Sequence, residues 1–212
     1  MIGRAGGNLC PFVMATKVDI CNLALSYLAV ADIRSADLSD QTPQARQCAH
    51  WYPFAVRRLL EEDDWAFATK RTKLAPLAGV KHGFALPSSC VRTVRLDSAD
   101  QQCLPYGIEA ISETSRALIC DAAGELTLWY VSDVQNAAFF PAYFIEPLWI
   151  LLASMLIGPL KRSDSSTKTV TSLLQLYQAS LSRAKAANAR EGVALPKLPK
   201  RAIPSAVLSR VI

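Results

Sequence analysis

The stretch Pro141–Leu160, PAYFIEPLWILLASMLIGPL, decides the fold, because it carries a single charged side chain, Glu146, in twenty positions. About 20 apolar residues are enough to cross the hydrocarbon core of a bilayer. The same run would equally suit a helix that the rest of a protein covers on every side. The sequence therefore describes either a membrane anchor or the central helix of a protein-packed body.

Two prolines within this run favour the protein-covered helix. Glu146-Pro147 lies about a third of the way in, where proline costs a helix roughly 3 kcal/mol and a carboxylate in lipid adds to that cost. Gly158-Pro159 interrupts the run at its far end. Lys161-Arg162 directly after the run would suit a cytoplasmic flank. We therefore expect no membrane partner, and attachment to a membrane through residues 141–160 stays as an alternative.

Apolar residues recur at helical spacing in three other segments. Thr16, with Asp19 three residues on, forms a weak capping box before the first segment. Thr42-Pro43 begins the second, in which Pro53 is expected to kink or break the helix. The third lies at about residues 163–192. The apolar stripe of the first segment consists of Ile20, Leu23, Ala24, Tyr27, Leu28 and Ala31.

The middle of the chain has the composition of strands. Short runs rich in β-branched and aromatic residues are separated by turn signals throughout residues 65–133. Ala122-Ala123-Gly124 joins the last two runs, Ala117–Cys120 and Glu125–Val131, and is typical of a hairpin loop. Trp129 and Tyr130 are neighbours on the last run and are expected to face opposite sides of a sheet. The segment therefore predicts a small antiparallel β domain.

These patterns predict an α+β fold, in which a four-helix bundle carries a small antiparallel β domain inserted between its second and third helices. An extended C-terminal arm follows, because Pro196, Pro199 and Pro204 exclude a regular helix there. The predicted domains are an N-terminal extension at 1–15, the discontinuous helical bundle at 16–64 and 134–192, the inserted β domain at 65–133, and the arm at 193–212.

Charge is unevenly distributed along the chain. Residues 161–212 hold ten Lys/Arg against two Asp/Glu, a net +8, whereas residues 1–160 hold thirteen against sixteen, a net −3. A basic end of this kind is typical of a segment that binds an acidic surface, a nucleic acid or a membrane face. The alternative interpretation is a solvated helix end followed by a tail. Both interpretations remain open from the sequence alone.

An acidic cluster stands where the second helix should end, at a helix terminus that repels negative charge. Arg57-Arg58 and Lys70-Arg71-Thr72-Lys73 flank it, so that opposed patches could pair between subunits of a ring, although a mixed charged surface explains the pattern at least as well. The cluster could also be a metal or acid/base site, but a solvated helix end is the more common origin of such a pattern. The residues of these two patches are Arg57, Arg58, Glu61, Glu62, Asp63 and Asp64.

Residues that support catalysis or metal binding are sparse. The only two histidines, His50 and His82, have no Cys, Asp or Glu at ligand spacing, and the six cysteines form no CxxC pair. Phosphate-binding, dinucleotide-binding and GxSxG motifs are absent from the sequence. We expect no enzyme, no cofactor and no metal, although a Cys–His nucleophile pair stays open. Cys21 and Cys48 fall on apolar faces and are expected to act as small hydrophobic residues.

Four phrases of the sequence occur in a characteristic order, namely DICNLALSYLAVADIRS at 19–35, ARQCAHWYPFAVRRLLEEDDWAFATKRTKLA at 45–75, GFALPSSCVRTVRL at 83–96 and LTLWYVSDVQNAAFFPAYFIEPLWILLASMLIGPL at 126–160. This ordered set resembles the tail tubular protein A family, the head-to-tail adaptors of short-tailed phages. That family ends this series with F-P-x-x-F-x-E/D-x-L, which Phe140 through Leu148 match, although Pro147 directly after Glu146 departs from it.

The resemblance implies a structural virion protein with no catalytic residue. Members of the family form a ring, usually twelvefold, in the neck between head and tail, and assemble in the host cytoplasm. The implied partners are the portal protein, a tail or nozzle protein, further copies of the chain, and transiting double-stranded DNA contacted non-specifically. A free nucleic-acid-binding module is a further alternative.

Two groups of residues would serve this role. The basic arm would dock onto the portal or a neighbouring subunit through Pro196, Lys197, Pro199, Lys200 and Arg201. The helices would pack within the bundle or between subunits through Phe140, Tyr143, Phe144, Trp149, Leu152, Leu173 and Tyr177.

Overall fold

The computed structural model of the chain describes residues 15–34, 42–113, 115–122, 124–160 and 166–191. The predicted C-terminal arm and all of the predicted N-terminal extension except Ala15 lie outside these residues. The described helices are α1 (Lys17–Tyr27), α2 (Pro43–Leu60), α3 (Ala142–Leu160) and α4 (Ser166–Glu191), with a short 3-10 helix at Ala137–Phe139. The strands are β1 (Thr69–Lys73), β2 (Gly83–Ala85), β3 (Cys90–Asp97), β4 (Gly107–Ala110), β5 (Arg116–Ile119) and β6 (Thr127–Ser132).

The chain divides into two compact units. The helical unit contains the residues up to Asp63 together with Val134–Ala189, and so holds α1, α2, α3 and almost all of α4. The body of the strand unit is Asp64–Asp133, which holds all six described strands.

Helix α3 is the centre of the helical unit. Both α1 and α2 pack closely against it, and its side chains from Phe144 to Ile157 are largely buried. By length and composition α3 could cross a membrane, a test that core helices of soluble proteins also pass, and half of its most apolar window is buried within the structure. Burial of this surface contributes roughly 25 cal/mol per Å² of apolar area.

Local signals set the helix starts as the sequence predicts. The capping box of Thr16 and Asp19 is confirmed at α1, and Thr42 caps α2 with Pro43 in its first turn. Pro53 does not break the second helix, because α2 runs without interruption from Pro43 to Leu60, and the expected kink at Pro53 stays a prediction.

Helix α4 is joined to the helical unit differently from α1 and α2. Within the described residues it makes no comparably close backbone approach to another helix. A narrow buried stripe and a few polar contacts connect it instead. The buried residues of this stripe are Leu173, Tyr177, Ser180, Ala184 and Asn188.

The strand unit contains two separate three-stranded antiparallel sheets. Their strand orders are β1-β6-β3 and β2-β5-β4. The predicted hairpin across Ala122-Ala123-Gly124 is therefore wrong, since the two strands it would join are the central strands of different sheets. β6 pairs with β1 and β3, with irregular register at Cys90–Arg92 and Thr93–Arg95. Leu96, Leu118, Leu126 and Leu128 lie at the centre of the unit's hydrophobic core.

The predicted four-helix bundle with an inserted β domain is wrong. The structure is an α+β mixture of four helices and two small antiparallel sheets, and the order of the helices does not fit such a bundle. The physical reason lies in α3 and α4. The surface of α3 is apolar on most sides and is covered by two helices, whereas the single stripe of α4 does not require the close packing of a fourth bundle helix.

The capping box at α1 gives a first testable prediction. The backbone N–H of Asp19 donates to Thr16 Oγ1 at 3.1 Å, and Asp19 Oδ2 accepts from Thr16 N at 2.8 Å and Oγ1 at 2.7 Å. Replacing Thr16 with alanine is expected to lower the free energy of unfolding by about 1 kcal/mol at pH 7. Urea unfolding monitored by circular dichroism measures this change. Thr16→Ser keeps the hydroxyl and should stay close to wild type; equal losses for both variants would contradict the assignment.

The same box predicts the sign of a pH dependence. Side-chain and backbone hydrogen bonds from Thr16 hold the pKa of Asp19 below its usual value. A carboxyl with a lowered folded-state pKa contributes stability above its unfolded pKa of about 3.9, and that stability is lost as the pH falls through the folded pKa. The stability difference between wild type and Thr16→Ala should therefore shrink as the pH falls below about 4.

Candidate functional site

The acidic cluster at the end of α2 has partners within the chain. In the helical unit, Glu62 Oε2 accepts from Lys185 Nζ at 3.2 Å and Asp63 Oδ2 accepts from Asn188 Nδ2 at 3.0 Å. Glu61 Oε1 lies 3.6 Å from Arg57 Nε. The two ion pairs, Glu61 with Arg57 and Glu62 with Lys185, are at least partly exposed, and such pairs contribute only about 0 to 1 kcal/mol each. The amide of Asn188 is buried. The cluster is therefore largely engaged by the chain's own α2 and α4.

Asp64 belongs to the strand unit and pairs there with Arg92. Arg58 lies close enough to Tyr177 for its charge to act on the phenol. Burial, followed by the charge of Glu62, raises the pKa of Tyr177 to about 12, and Arg58 opposes that shift. Pairing of these patches between subunits stays a prediction. It would require the pairs within one chain to break and pairs with a neighbouring subunit to form.

The residues predicted for helix packing all lie in the helical unit, but with different exposure. Phe140 and Phe144 are buried, with ring centroids 4.9 Å apart. Tyr143 and Trp149 are only half-buried. The remaining three are buried, namely Leu152, Leu173 and Tyr177. Five of the seven therefore form interior contacts, which leaves Tyr143 and Trp149 as those with surface to offer a partner.

A groove runs between α1 and α3 on the helical unit. Its volume is about 640 Å³. Leu23, Ile145 and Trp149 supply its apolar lining, and Asp19, Asp32 and Glu146 also line it. Tyr27 extends the apolar surface, since its ring centroid lies 5.7 Å from that of Trp149. Apolar side chains and carboxylates therefore line the same groove.

The predicted stripe on α1 is displaced from the observed one. Ile20, Cys21, Ala24 and Leu25 are buried, whereas Leu23 and Tyr27 are each 48% exposed. Because residues 23 and 27 are four apart, they share one side of the helix, next to the buried face. The four-residue spacing of Leu23 and Tyr27 is the local signal that could have indicated a second apolar face on α1. Because both residues were assigned to the buried stripe, the groove was not predicted.

Other large apolar side chains of the helical unit are also exposed. Phe139 in the 3-10 helix is 61% exposed and Phe54 on α2 is 57% exposed, and two leucines of α4, Leu174 and Leu176, are partly exposed. Scattered exposed apolar residues are normal, but several on one small unit indicate surfaces for protein contact.

The strand unit carries a polar network that the sequence did not predict. Asp97 Oδ2 accepts from Arg95 Nη2 at 2.7 Å and from Trp129 Nε1 at 2.9 Å. The guanidinium groups of Arg71 and Arg95 lie 5.7 and 5.2 Å from the Trp129 ring centroid. As expected, Trp129 and Tyr130 face opposite ways, and Tyr130 is in the hydrophobic core. The network links side chains of β1, β3 and β6 within one sheet.

The described residues contain no group of three or more His, Cys, Asp or Glu that could hold a metal ion. His50 packs against Trp51 and Phe54, with ring centroids 5.0 and 5.6 Å away. His82 Nδ1 lies 3.4 Å from Asp121 Oδ1, and both side chains are well exposed.

Thiol reactivity gives a prediction on the buried cysteines. Cys21 and Cys48 are fully buried, and Cys103 is exposed. A hydrogen bond with Cys48, together with burial, raises the pKa of Cys21. We expect iodoacetamide to label Cys103 at least about 100-fold faster than Cys21 or Cys48, because the buried thiols react only after opening of the fold. Peptide mass spectrometry over time measures the labelling rate of each cysteine. The same measurement in urea is the control, because unfolding exposes all three thiols. Equal labelling rates for the three cysteines in the native protein would contradict the structure.

No protein-family model matches the chain, and no curated protein matches it significantly. The resemblance to phage adaptors therefore depends on the ordered phrases of the sequence themselves.

Proposed function

We propose that this protein is a structural virion protein, a head-to-tail adaptor that forms a ring between the portal and the tail and lines the passage for DNA. The observation that carries the proposal is the amount of apolar side chain left exposed on the helical unit. The resemblance of the ordered phrases gives that surface its biological setting.

The exposed residues are distributed over several elements of the helical unit. Leu23 and Tyr27 are on α1, Phe54 is on α2, and Leu174 and Leu176 are on α4. A subunit within a ring uses two different faces, one toward each neighbour, and a third toward whatever the ring binds. Stable interfaces bury about 800 Å² on each partner and are apolar at their centres. Exposed apolar groups on several helices suit such repeated contacts.

The partners follow from that role. They are neighbouring copies in a ring, which the resemblance makes twelvefold, the portal protein on one side, and a tail or nozzle protein on the other. Transiting double-stranded DNA would be contacted without sequence preference. The protein would act in the neck of the virion, after assembly in the host cytoplasm, and its function would involve no catalysis and no cofactor. The arm residues Pro196, Lys197, Pro199, Lys200 and Arg201 lie outside the described residues.

The test is to determine the assembly state of the purified protein alone and mixed with its portal protein. Light scattering and negative-stain images should show rings, either alone or on the portal. Leu174→Glu places a charge on an exposed apolar site of α4 and should weaken assembly, whereas Gln175→Glu introduces the same charge at the next, polar, exposed position and should not. A protein that stays monomeric and ignores the portal would contradict the proposal.

Simple measurements distinguish the proposed adaptor from two other functions. A membrane-attached protein that uses α3 would sediment with membranes and need detergent, whereas the adaptor is soluble without it. A free nucleic-acid-binding module would bind DNA tightly, with strong salt dependence. An adaptor needs only weak, non-specific contact with DNA.

A further inference from the structure

The groove between α1 and α3 combines two properties that a partner must match. Its apolar lining includes Leu23, which is 48% exposed, and the half-buried Ile145 and Trp149. Its carboxylates are Asp19, Asp32 and Glu146. At about 640 Å³ the groove is within the range of roughly 300 to 1,000 Å³ that encloses small ligands. A segment with alternating apolar and cationic side chains would satisfy both properties.

The cations of the helical unit leave much of this negative charge available. Glu146 Oε1 accepts from Arg183 Nη2 at 2.8 Å, and Asp19 is engaged by the uncharged Thr16. Asp32 is exposed. The groove therefore retains a net negative character, with an apolar lining that attracts side chains rather than free ions.

We propose that this groove binds the C-terminal segment, residues 192–212, of a neighbouring copy of the chain. The inference rests on the proposed ring, because it names the contact that one subunit makes with the next. Charge complementarity selects this segment among the parts of the chain outside the described residues. Residues 192–212 carry Lys197, Lys200, Arg201 and Arg210 and no acid, whereas 35–41 carry two aspartates, 161–165 two cations and one aspartate, and 1–14 a single arginine.

The order of residues in that segment matches the groove as well as its charge does. Leu195, Leu198 and Ile203 alternate with the cations in ALPKLPKRAI. Its prolines favour polyproline II spacing, which has three residues per turn. At that spacing Leu195 and Leu198 share one edge while Lys197 and Lys200 share the next. One edge would face the apolar lining and the other the carboxylates, and the prolines reduce the entropy that such a segment loses on binding.

The experiment uses the full chain with Leu198 replaced by the photo-cross-linking residue p-benzoylphenylalanine. Copies grown in ¹⁴N and ¹⁵N media are mixed, assembled with portal protein where needed, and irradiated. Mass spectrometry should find residue 198 joined to α1 or α3 peptides at the groove, in mixed heavy and light pairs. Light scattering of the same samples reports assembly independently.

Two groove variants sharpen the test. Leu23→Asp should abolish these cross-links, and Asp32→Lys should reduce their yield about two- to fivefold, the size expected of one exposed charge contact. Glu109→Lys makes the same charge change at an exposed site on β4 and should leave the yield unchanged. The proposal predicts that the yield also falls with salt.

The outcomes separate this inference from the proposed function. Rings without groove cross-links, or with cross-links only inside one copy, would overturn the inference and leave the adaptor proposal standing. Cross-links that survive Leu23→Asp unchanged would also overturn it. A chain that neither assembles nor gives mixed pairs would overturn both.

Discussion

Replacing Phe144 with alanine is expected to lower the free energy of unfolding by about 4 kcal/mol, because a whole aromatic ring is lost from the interior. That ring is fully buried on α3 and lies 4.9 Å from the ring of Phe140. Truncation to Cβ loses the transfer free energy of the ring and leaves a cavity in the interior of the helical unit, beside Phe140. Urea unfolding followed by far-ultraviolet circular dichroism measures the loss.

A matched control is available five residues earlier in the chain. Phe139 is 61% exposed, so Phe139→Ala removes the same atoms from the surface and should cost less than about 1 kcal/mol. Comparable losses for the two variants would mean that α3 is not the packed centre of this unit. A loss below about 2 kcal/mol for Phe144→Ala would contradict the buried position of its ring.

The features that the sequence predicted well are local. The caps at Thr16 and Thr42 depend on residues within one turn, and both form as expected. Helix α3 is recognisable from the sequence because its run of apolar residues is long. Pro147 lies inside this helix and does not end it. In each case the interactions that fix the structure join residues close together in the chain, where spacing alone carries the information.

The packing of the helices could not be obtained in the same way. Periodicity shows that a helix has an apolar face, but it does not show which helix covers that face. Four helical segments therefore suggested a bundle, whereas α3 is covered closely by α1 and α2, and α4 is held by a narrow stripe and polar contacts. Lys185 and Glu62 are 123 positions apart, and no local pattern links them.

The prediction of strand pairing was wrong for a related reason. Two strand-like runs separated by a short turn segment usually form a hairpin, and this preference predicts one across Ala122-Ala123-Gly124. The strands instead complete different sheets, since β5 lies between β2 and β4 and β6 lies between β1 and β3. The choice between these pairings depends on the burial of both central strands, which involves residues far apart in the sequence.

The candidate site was predicted only in part. The aromatic residues Phe140, Phe144 and Trp149 were identified as packing groups, and the acidic cluster at the end of α2 was identified as a charge patch. The groove was not, because its sides come from α1 and α3, which are more than a hundred residues apart in the chain. The Asp97 network was not predicted either, since it joins Arg95 on β3 to Trp129 on β6 across a ladder with irregular register.

That network gives the second large expected effect. Replacing Asp97 with alanine should lower the free energy of unfolding by about 3 kcal/mol, because it leaves the charge of Arg95 buried without its carboxylate. The side chain of Arg95 is only 20% exposed and that of Asp97 only 8%. The indole N–H of Trp129 loses its acceptor in the same variant. Urea unfolding monitored by tryptophan fluorescence and by circular dichroism measures the change.

Two further variants separate the contribution of the buried charge to this loss from the contribution of the hydrogen bond. Trp129→Phe keeps an aromatic ring beside Arg71 and Arg95 but removes the N–H donor, and should cost about 1.5 kcal/mol, as expected for a hydrogen bond to a charged group. The double variant Arg95→Met with Asp97→Leu removes both charges and should recover about half of the loss caused by Asp97→Ala. A buried ion pair replaced by apolar groups of similar size is nearly neutral, whereas the indole N–H of Trp129 still lacks its acceptor. If the double variant is less stable than Asp97→Ala alone, the cost does not arise from an uncompensated charge. The contribution of Asp97 would then lie in its packing at the end of β3.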